Sequence, residues 1–157
     1  MSRPKSLYGA NPAGILTRAE AEGLAKRALS FAKADETAIS ISSDARANTR
    51  FAVNQVSTAG NDTDTTVTIR STFGKRSASV TTNKADDASL AAAVKAAEEL
   101  ARLSAENPEY VPELGPQTYR PERQQNIWVP AAEDRARAVK GVTDRARAAG
   151  FIATGYI

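Results

Sequence analysis

Over residues 37–82 apolar and polar side chains alternate in short segments, and the spacers between them are too brief for a parallel return. In the first segment, 37–42, Ile39 and Ile41 alternate with Ala38, Ser40 and Ser42. The second, 49–58, carries Phe51, Val53 and Val56; the third, 65–73, carries Val67, Ile69 and Ser71; the fourth, 75–82, carries Ala78 and Val80. Turn-forming residues fill the spacers: Asp44 and Asn48, then Gly60-Asn61-Asp62, then Gly74. A parallel neighbour needs a crossover of about a dozen residues or more, so the pattern predicts a four-stranded antiparallel meander.

The flanks change to helical spacing. Thr17-Arg18-Ala19-Glu20 has the form of a capping box, in which hydroxyl and carboxylate each satisfy a free backbone amide. Leu24, Ala28, Phe31 and Ala32 then share one face while Glu22, Lys26 and Arg27 lie off it, which predicts a helix to about Ala34. After the meander, Asp86 or Asp87 suits the N-cap of a second helix whose stripe is Leu90, Val94, Ala97, Leu100 and Ala101. Two such helices can close over one face of the sheet. The fold class expected is α+β, not a doubly wound sheet.

Pro108, Pro112, Pro116 and Pro121 mark an extended connection over 108–129, between an α+β N-terminal domain at 1–107 and the start of a middle domain at 130–157. Pro130 fits the first turn of a third helix running to Ala149, with Val139, Val142, Ala146 and Ala149 as its apolar face and Gly150 ending it. Residues 151–157 read as a strand with no partner strand after it. The middle domain is therefore expected to be truncated, and the chain to be the N-terminal piece of a longer polypeptide.

Composition limits the chemistry. The 157 residues include neither His nor Cys, which removes a thiolate nucleophile, an imidazole base, a Ser-His-Asp triad and a zinc site of the usual N/S type. The net charge of +3 comes from 21 Lys and Arg set against 18 Asp and Glu, a weak attraction for a polyanion. Residues 1–16 lack the apolar core of a signal peptide, and the apolar run 90–94 falls far short of the ~20 residues a membrane span requires. A cytoplasmic protein without a membrane partner is expected, and the lack of Cys agrees with a reducing compartment.

Asp134-Arg135-Ala136-Arg137-Ala138 is repeated as Asp144-Arg145-Ala146-Arg147-Ala148. On a helix this offset leaves the copies rotated by ~80°, so they form no single basic stripe. Arg137, Lys140 and Arg147 share a face, but Glu133 and Asp144 sit among them and predict ion pairs three or four residues apart. A solvated mixed face is expected there, with nucleic acid disfavoured as a partner. Arg70, Phe73, Lys75 and Arg76 gather around the Gly74 turn. Such a group can grip phosphates and stack a base, or it can be a soluble hairpin end with Phe73 folded back on the sheet. Asn61-Asp62-Thr63-Asp64 lacks the Gly and distal Glu of a calcium loop, and the neighbours Asp86 with Asp87 and Glu98 with Glu99 point in different directions on a helix. Gly9 and Gly14 do not have phosphate-loop spacing.

Residues 47–58 (ANTRFAVNQVST), 65–83 (TTVTIRSTFGKRSASVTTN) and 86–109 (DDASLAAAVKAAEELARLSAENPE) together resemble the first domain of the TldD/PmbA family, once called modulators of DNA gyrase. The order is similar to that domain: a helix, a strand meander with a basic residue near the Phe-Gly turn, and an Asp-led alanine-rich helix ending near Asn-Pro. Residues 130–157 are similar to the opening of the family's middle region, while Ser77 stands where many members carry Gly. The resemblance implies a zinc metallopeptidase whose metal is held by a His-Glu-x-x-x-His helix and a later Cys, none of which occurs in this chain. No catalytic or metal residue carries over. The resemblance further implies a non-catalytic part that helps wall a substrate chamber in a homo- or heterodimer and helps admit an unfolded peptide, which can add to an exposed sheet edge as a strand. Arg70, Phe73, Lys75 and Arg76 are the residues assigned to peptide or partner contact. The alternatives are a nucleic-acid- or gyrase-interacting module and a structural oligomerisation domain.

Overall fold

The computed structural model describes residues 15–115, 117–118 and 130–157. Gly9 and Gly14, Pro116, Pro121 and the rest of the expected connection over 119–129 lie outside the described residues. In chain order the elements are α1 (Arg18–Ser30), β1 (Glu36–Ala52), β2 (Gln55–Phe73), β3 (Arg76–Thr82), α2 (Asp87–Leu103), α3 (Ala132–Ala148) and β4 (Gly155–Tyr156). The sheet is four-stranded and antiparallel in the order β3-β2-β1-β4, and the class is α+β as the periodicities predict.

The strands are divided differently from the sequence expectation. Asp44 and Asn48 do not break the first strand but lie inside β1, and Gly60-Asn61-Asp62 lies inside β2. The chain reverses at Val53 and Asn54, in the middle of the expected segment 49–58, with φ of 51° and 59°. Positive φ at both central residues is the geometry whose twist matches two antiparallel strands. The sequence hides this turn because Val is a poor left-handed residue and no Gly marks it. The turn between β2 and β3 is placed where expected, with Gly74 at φ +57° and Phe73 paired to Arg76. The fourth strand is β4, whose partner lies upstream: Gly155 and Tyr156 pair with Phe51 and Arg50, and Ile157 exchanges two 3.0 Å backbone hydrogen bonds with Thr49.

The chain forms two compact units, to both of which β1 and β2 contribute. Of the described residues, one holds 15–43, 64–115 and 117–118, with α1, β3 and α2. Its core is Leu24 and Ala28 from α1, Val67 and Ile69 from β2, and Leu90, Ala93, Val94 and Ala97 from α2, flanked by Ile39, Ile41 and Val80. The expected capping box is formed at Thr17 and Glu20, and Asp86 caps α2 by accepting from Ser89 N at 2.9 Å. Two details differ. α1 ends at Ser30, and Leu100 points outward because the buried stripe of α2 runs through Leu90, Val94, Ala97 and Ala101. Glu98 is buried instead, accepting from the free Lys33 N–H at 2.5 Å beyond the end of α1.

Of the described residues, the other unit draws together 44–63 and 130–157, hence the Val53-Asn54 end of the long hairpin, α3 and β4. Pro130 precedes α3, whose N-cap is Ala131. The helix ends in the expected glycine cap: Gly150 has φ +73°, its N–H donates to Arg147 O at 3.1 Å, and Phe151 N donates to Ala146 O at 2.8 Å. Its buried stripe is Arg135, Val139 and Thr143, where the sequence pattern put Val139 with Val142 and the C-terminal alanines. The helix is rotated toward its polar side because Arg135 finds three acceptors there.

Candidate partner-contact site

Each member of the cluster around Gly74 is engaged within its own unit. Arg70 forms an ion pair with Glu113. Arg76 donates to the Arg102 carbonyl at 3.3 Å and pairs with Glu106 at 3.4 Å. The Arg102 guanidinium lies 3.9 Å from the centroid of the Phe73 ring, a cation over an aromatic face. The Lys75 carbonyl accepts from Asn107 N at 2.9 Å, and the Gly74 N–H donates to Asp35 at 2.8 Å. Farther along, Tyr110 hydrogen-bonds Glu36, and that bond raises the phenol above its ordinary pKa.

The cluster thus anchors the segment after α2, with arginines from the hairpin meeting carboxylates at 106 and 113. Sequence reasoning missed Arg102, Glu106, Asn107, Tyr110 and Glu113 as its partners. The available signal was the alternation of Glu106, Glu109 and Glu113 with prolines, downstream of a basic turn. Among the described residues the Lys75 ammonium is in no ion pair, and one face of Phe73 is already covered by Arg102.

In the other unit the charges of α3 neutralise one another. Asp144 pairs with both Lys140 and Arg147, as expected, and Lys140 holds its carboxyl below the usual range. Arg137 pairs with Asp134 where Glu133 was the expected acid. Arg135, only 2% exposed, donates from Nε to Thr49 Oγ1 at 3.1 Å, from Nη1 to Pro130 O at 2.5 Å and from Nη2 to Asn61 Oδ1 at 2.8 Å. Asn61 is therefore a structural acceptor and not part of a cation loop.

The hairpin turn is held in the same unit by Asn54. Its Nδ2 donates to Phe151 O at 2.9 Å, its Oδ1 accepts from Ala153 N at 2.7 Å, and its own N–H donates to Ala153 O at 3.2 Å. Next to this turn a groove of about 340 Å³ is lined by Gln55, Val56, Ala136, Val139, Lys140 and Thr143. β3 pairs only with 67–73, so along 55–62 the edge of β2 turned away from β1 meets no strand among the described residues. Every residue of that stretch is exposed.

Comparison with known proteins places this fold. Residues 38–101 match the family model described as PmbA/TldA metallopeptidase domain 1. Comparison with curated proteins finds no match. Among solved structures, TldE from Thermococcus kodakarensis aligns with a TM-score of 0.67 at 19% identity, covering 81% of this chain and 29% of that one. At that identity the likeness is one of fold. An antiparallel sheet packed with helices is the fold the two proteins share. Over residues 38–101 the chain is similar to the first domain of the PmbA/TldD family.

The residues present do not fit a catalytic metal of the kind that the family's description, metallopeptidase, implies. The sequence has no imidazole and no thiolate, and among the described residues no three of Asp and Glu gather where they could hold an ion. Among the described residues no helix is long and apolar enough to cross a membrane.

Proposed function

We propose that this chain is the non-catalytic N-terminal part of a TldD/PmbA-type metallopeptidase that degrades unfolded peptides in the cytoplasm. Its role is to help form the substrate chamber and the contact with a second, identical or related subunit. On this reading 1–107 is the first domain, 108–129 a connection and 130–157 the opening of the middle domain. Zinc and the groups that activate water belong to the rest of the parent protein. The observation that carries the reading is the family match over 38–101 in a chain devoid of His and Cys.

The surface supports a contact role. Arg70, Phe73, Lys75 and Arg76 fix the backbone around the β2–β3 turn, and leave the Lys75 ammonium available to a peptide or partner carboxylate. The test is biochemical. The purified chain with added zinc should hydrolyse no peptide, and it should co-elute with a polypeptide carrying the family's His-Glu-x-x-x-His region in a complex whose peptidase activity a chelator abolishes. Hydrolysis by the chain alone, or no association with such a region, would overturn the reading.

A further inference from the structure

We infer that the segment 104–115 is a releasable strap whose own glutamates occupy Arg70 and Arg76, so that an acidic segment of a partner gains these arginines only by displacing it. This rests on the contact role proposed above for the β2–β3 turn and adds its regulation. Three observations meet there. The first is how the strap is held. Glu113 pairs with Arg70, Glu106 pairs with Arg76, and the Asn107 N–H donates to the Lys75 carbonyl. Tyr110 hydrogen-bonds Glu36, whose carboxylate also accepts from the Glu113 N–H at 3.5 Å. All of these partners lie in the same unit as the strap.

The second observation is that burial contributes little to the attachment. Val111 and Leu114, the large aliphatic side chains of the strap, are 77% and 81% exposed, and among the described residues nothing in 104–115 joins the apolar core. The strap therefore lies polar side down, the reverse of an element held by the hydrophobic effect. The side chains of both ion pairs are between 46% and 63% exposed, and a pair of that kind shifts an equilibrium by no more than about fivefold. Detachment is then a local event, far less costly than opening the core of the same unit. Pro108 and Pro112 limit the freedom gained by the detached chain, which keeps the docked state accessible.

The third observation is the identity of what the strap covers. Arg70, Lys75 and Arg76 are three of the four residues assigned to partner contact, and the strap engages the guanidinium of each arginine and the carbonyl of the lysine. The chemistry that competes with two glutamates for two arginines is another pair of carboxylates on an extended chain. A ligand tethered by a short linker acts at millimolar effective concentration, so the strap holds off a weak acidic partner until it is released.

The probe is a fluorescein-labelled peptide with the sequence of 104–115 itself, SAENPEYVPELG, added to the 157-residue chain in about 20 mM NaCl. The chain carrying Glu106→Gln with Glu113→Gln should bind it at least about fivefold more tightly than the unchanged chain, and Arg70→Gln added to that pair should remove the gain. Attachment is read separately, without variant or ligand, from the Asn107 amide. Its hydrogen exchange should be about fivefold faster in ~0.5 M NaCl than in ~20 mM, while the Val94 and Ala97 amides of α2 keep their rates. Arg70→Glu should speed it at low salt, and Glu113→Arg added to that variant should slow it again. Equal peptide binding by the two chains, binding by neither, or an Asn107 amide indifferent to salt each overturns the inference. Association with the catalytic region uses neither the peptide nor these variants, so the broader reading stands or falls on its own measurement.

Discussion

Arg135 donates from Nε to the Thr49 hydroxyl at 3.1 Å, with each of the two residues 2% exposed. Among the described residues the guanidinium meets no carboxylate at this position, its other acceptors being Pro130 O and Asn61 Oδ1. Such a group stabilises the fold only while its donors are met, and its loss leaves three acceptors without their donor. Arg135→Ala should lower the urea-unfolding free energy by about 2–4 kcal/mol, with Arg135→Lys recovering only part because it lacks the planar fork. A loss below about 0.5 kcal/mol would show that these bonds do not form in solution.

Val53 sits at φ 51° with two-thirds of its surface exposed, so it incurs left-handed strain without gaining burial. Asn54 supplies the compensation through its three bonds to Phe151 and Ala153. Val53→Gly should raise stability by about 1 kcal/mol, read as a higher thermal midpoint. Asn54→Ala should lower it, since the turn then loses its tie to the α3–β4 connection. A destabilised Val53→Gly variant would place the turn in a different geometry.

The amount of this that the sequence discloses follows from which signals are local. Thr17 with Glu20, Asp86, Gly74 and Gly150 were legible because caps and glycine turns depend on a few adjacent residues. The Val53-Asn54 turn was not, because it is imposed by the pairing of two long strands and held by residues almost a hundred positions away. Arg135 lies in a repeat whose charges predict a solvated mixed face, and its burial depends on Thr49 and Asn61, which the helix pattern does not show. For the candidate site, the cations were found but their counterions were not, since Glu106 and Glu113 lie in a segment without periodicity. That β3 pairs with only the last part of β2 among the described residues appears only once β2 is merged across its apparent break at Gly60-Asn61-Asp62.

Ser71 is fully buried between Ile69 and Phe73 along β2, and its hydroxyl has no hydrogen-bond partner among the described residues. An unmet buried hydroxyl costs desolvation energy that nothing returns. Ser71→Ala should therefore leave stability unchanged or raise it by up to about 1 kcal/mol. Ile69→Ala, two residues away in the same core, should cost about 2–5 kcal/mol. Chemical denaturation of the two variants checks the contrast, and a loss for Ser71→Ala comparable to that for Ile69→Ala would mean that the hydroxyl is bonded.

The helix caps set an acid limit on stability. The backbone N–H of Thr17 holds the Glu20 carboxyl below its ordinary pKa of 4.5, and the Ser89 N–H holds Asp86 below 3.8. In both cases the folded value is lower than the unfolded one, so the unfolded chain binds more protons in the window between them. The contribution of each cap is fully present above the unfolded values and is lost as pH falls through the folded ones. The urea midpoint should accordingly be flat from pH 7 to about 5 and decline below that. Glu20→Gln with Asp86→Asn keeps acceptors at both caps while removing the two titrations, and should flatten part of the decline. An acid limb of unchanged slope in the double variant would assign the sensitivity to other carboxylates, first among them Asp144 between Lys140 and Arg147.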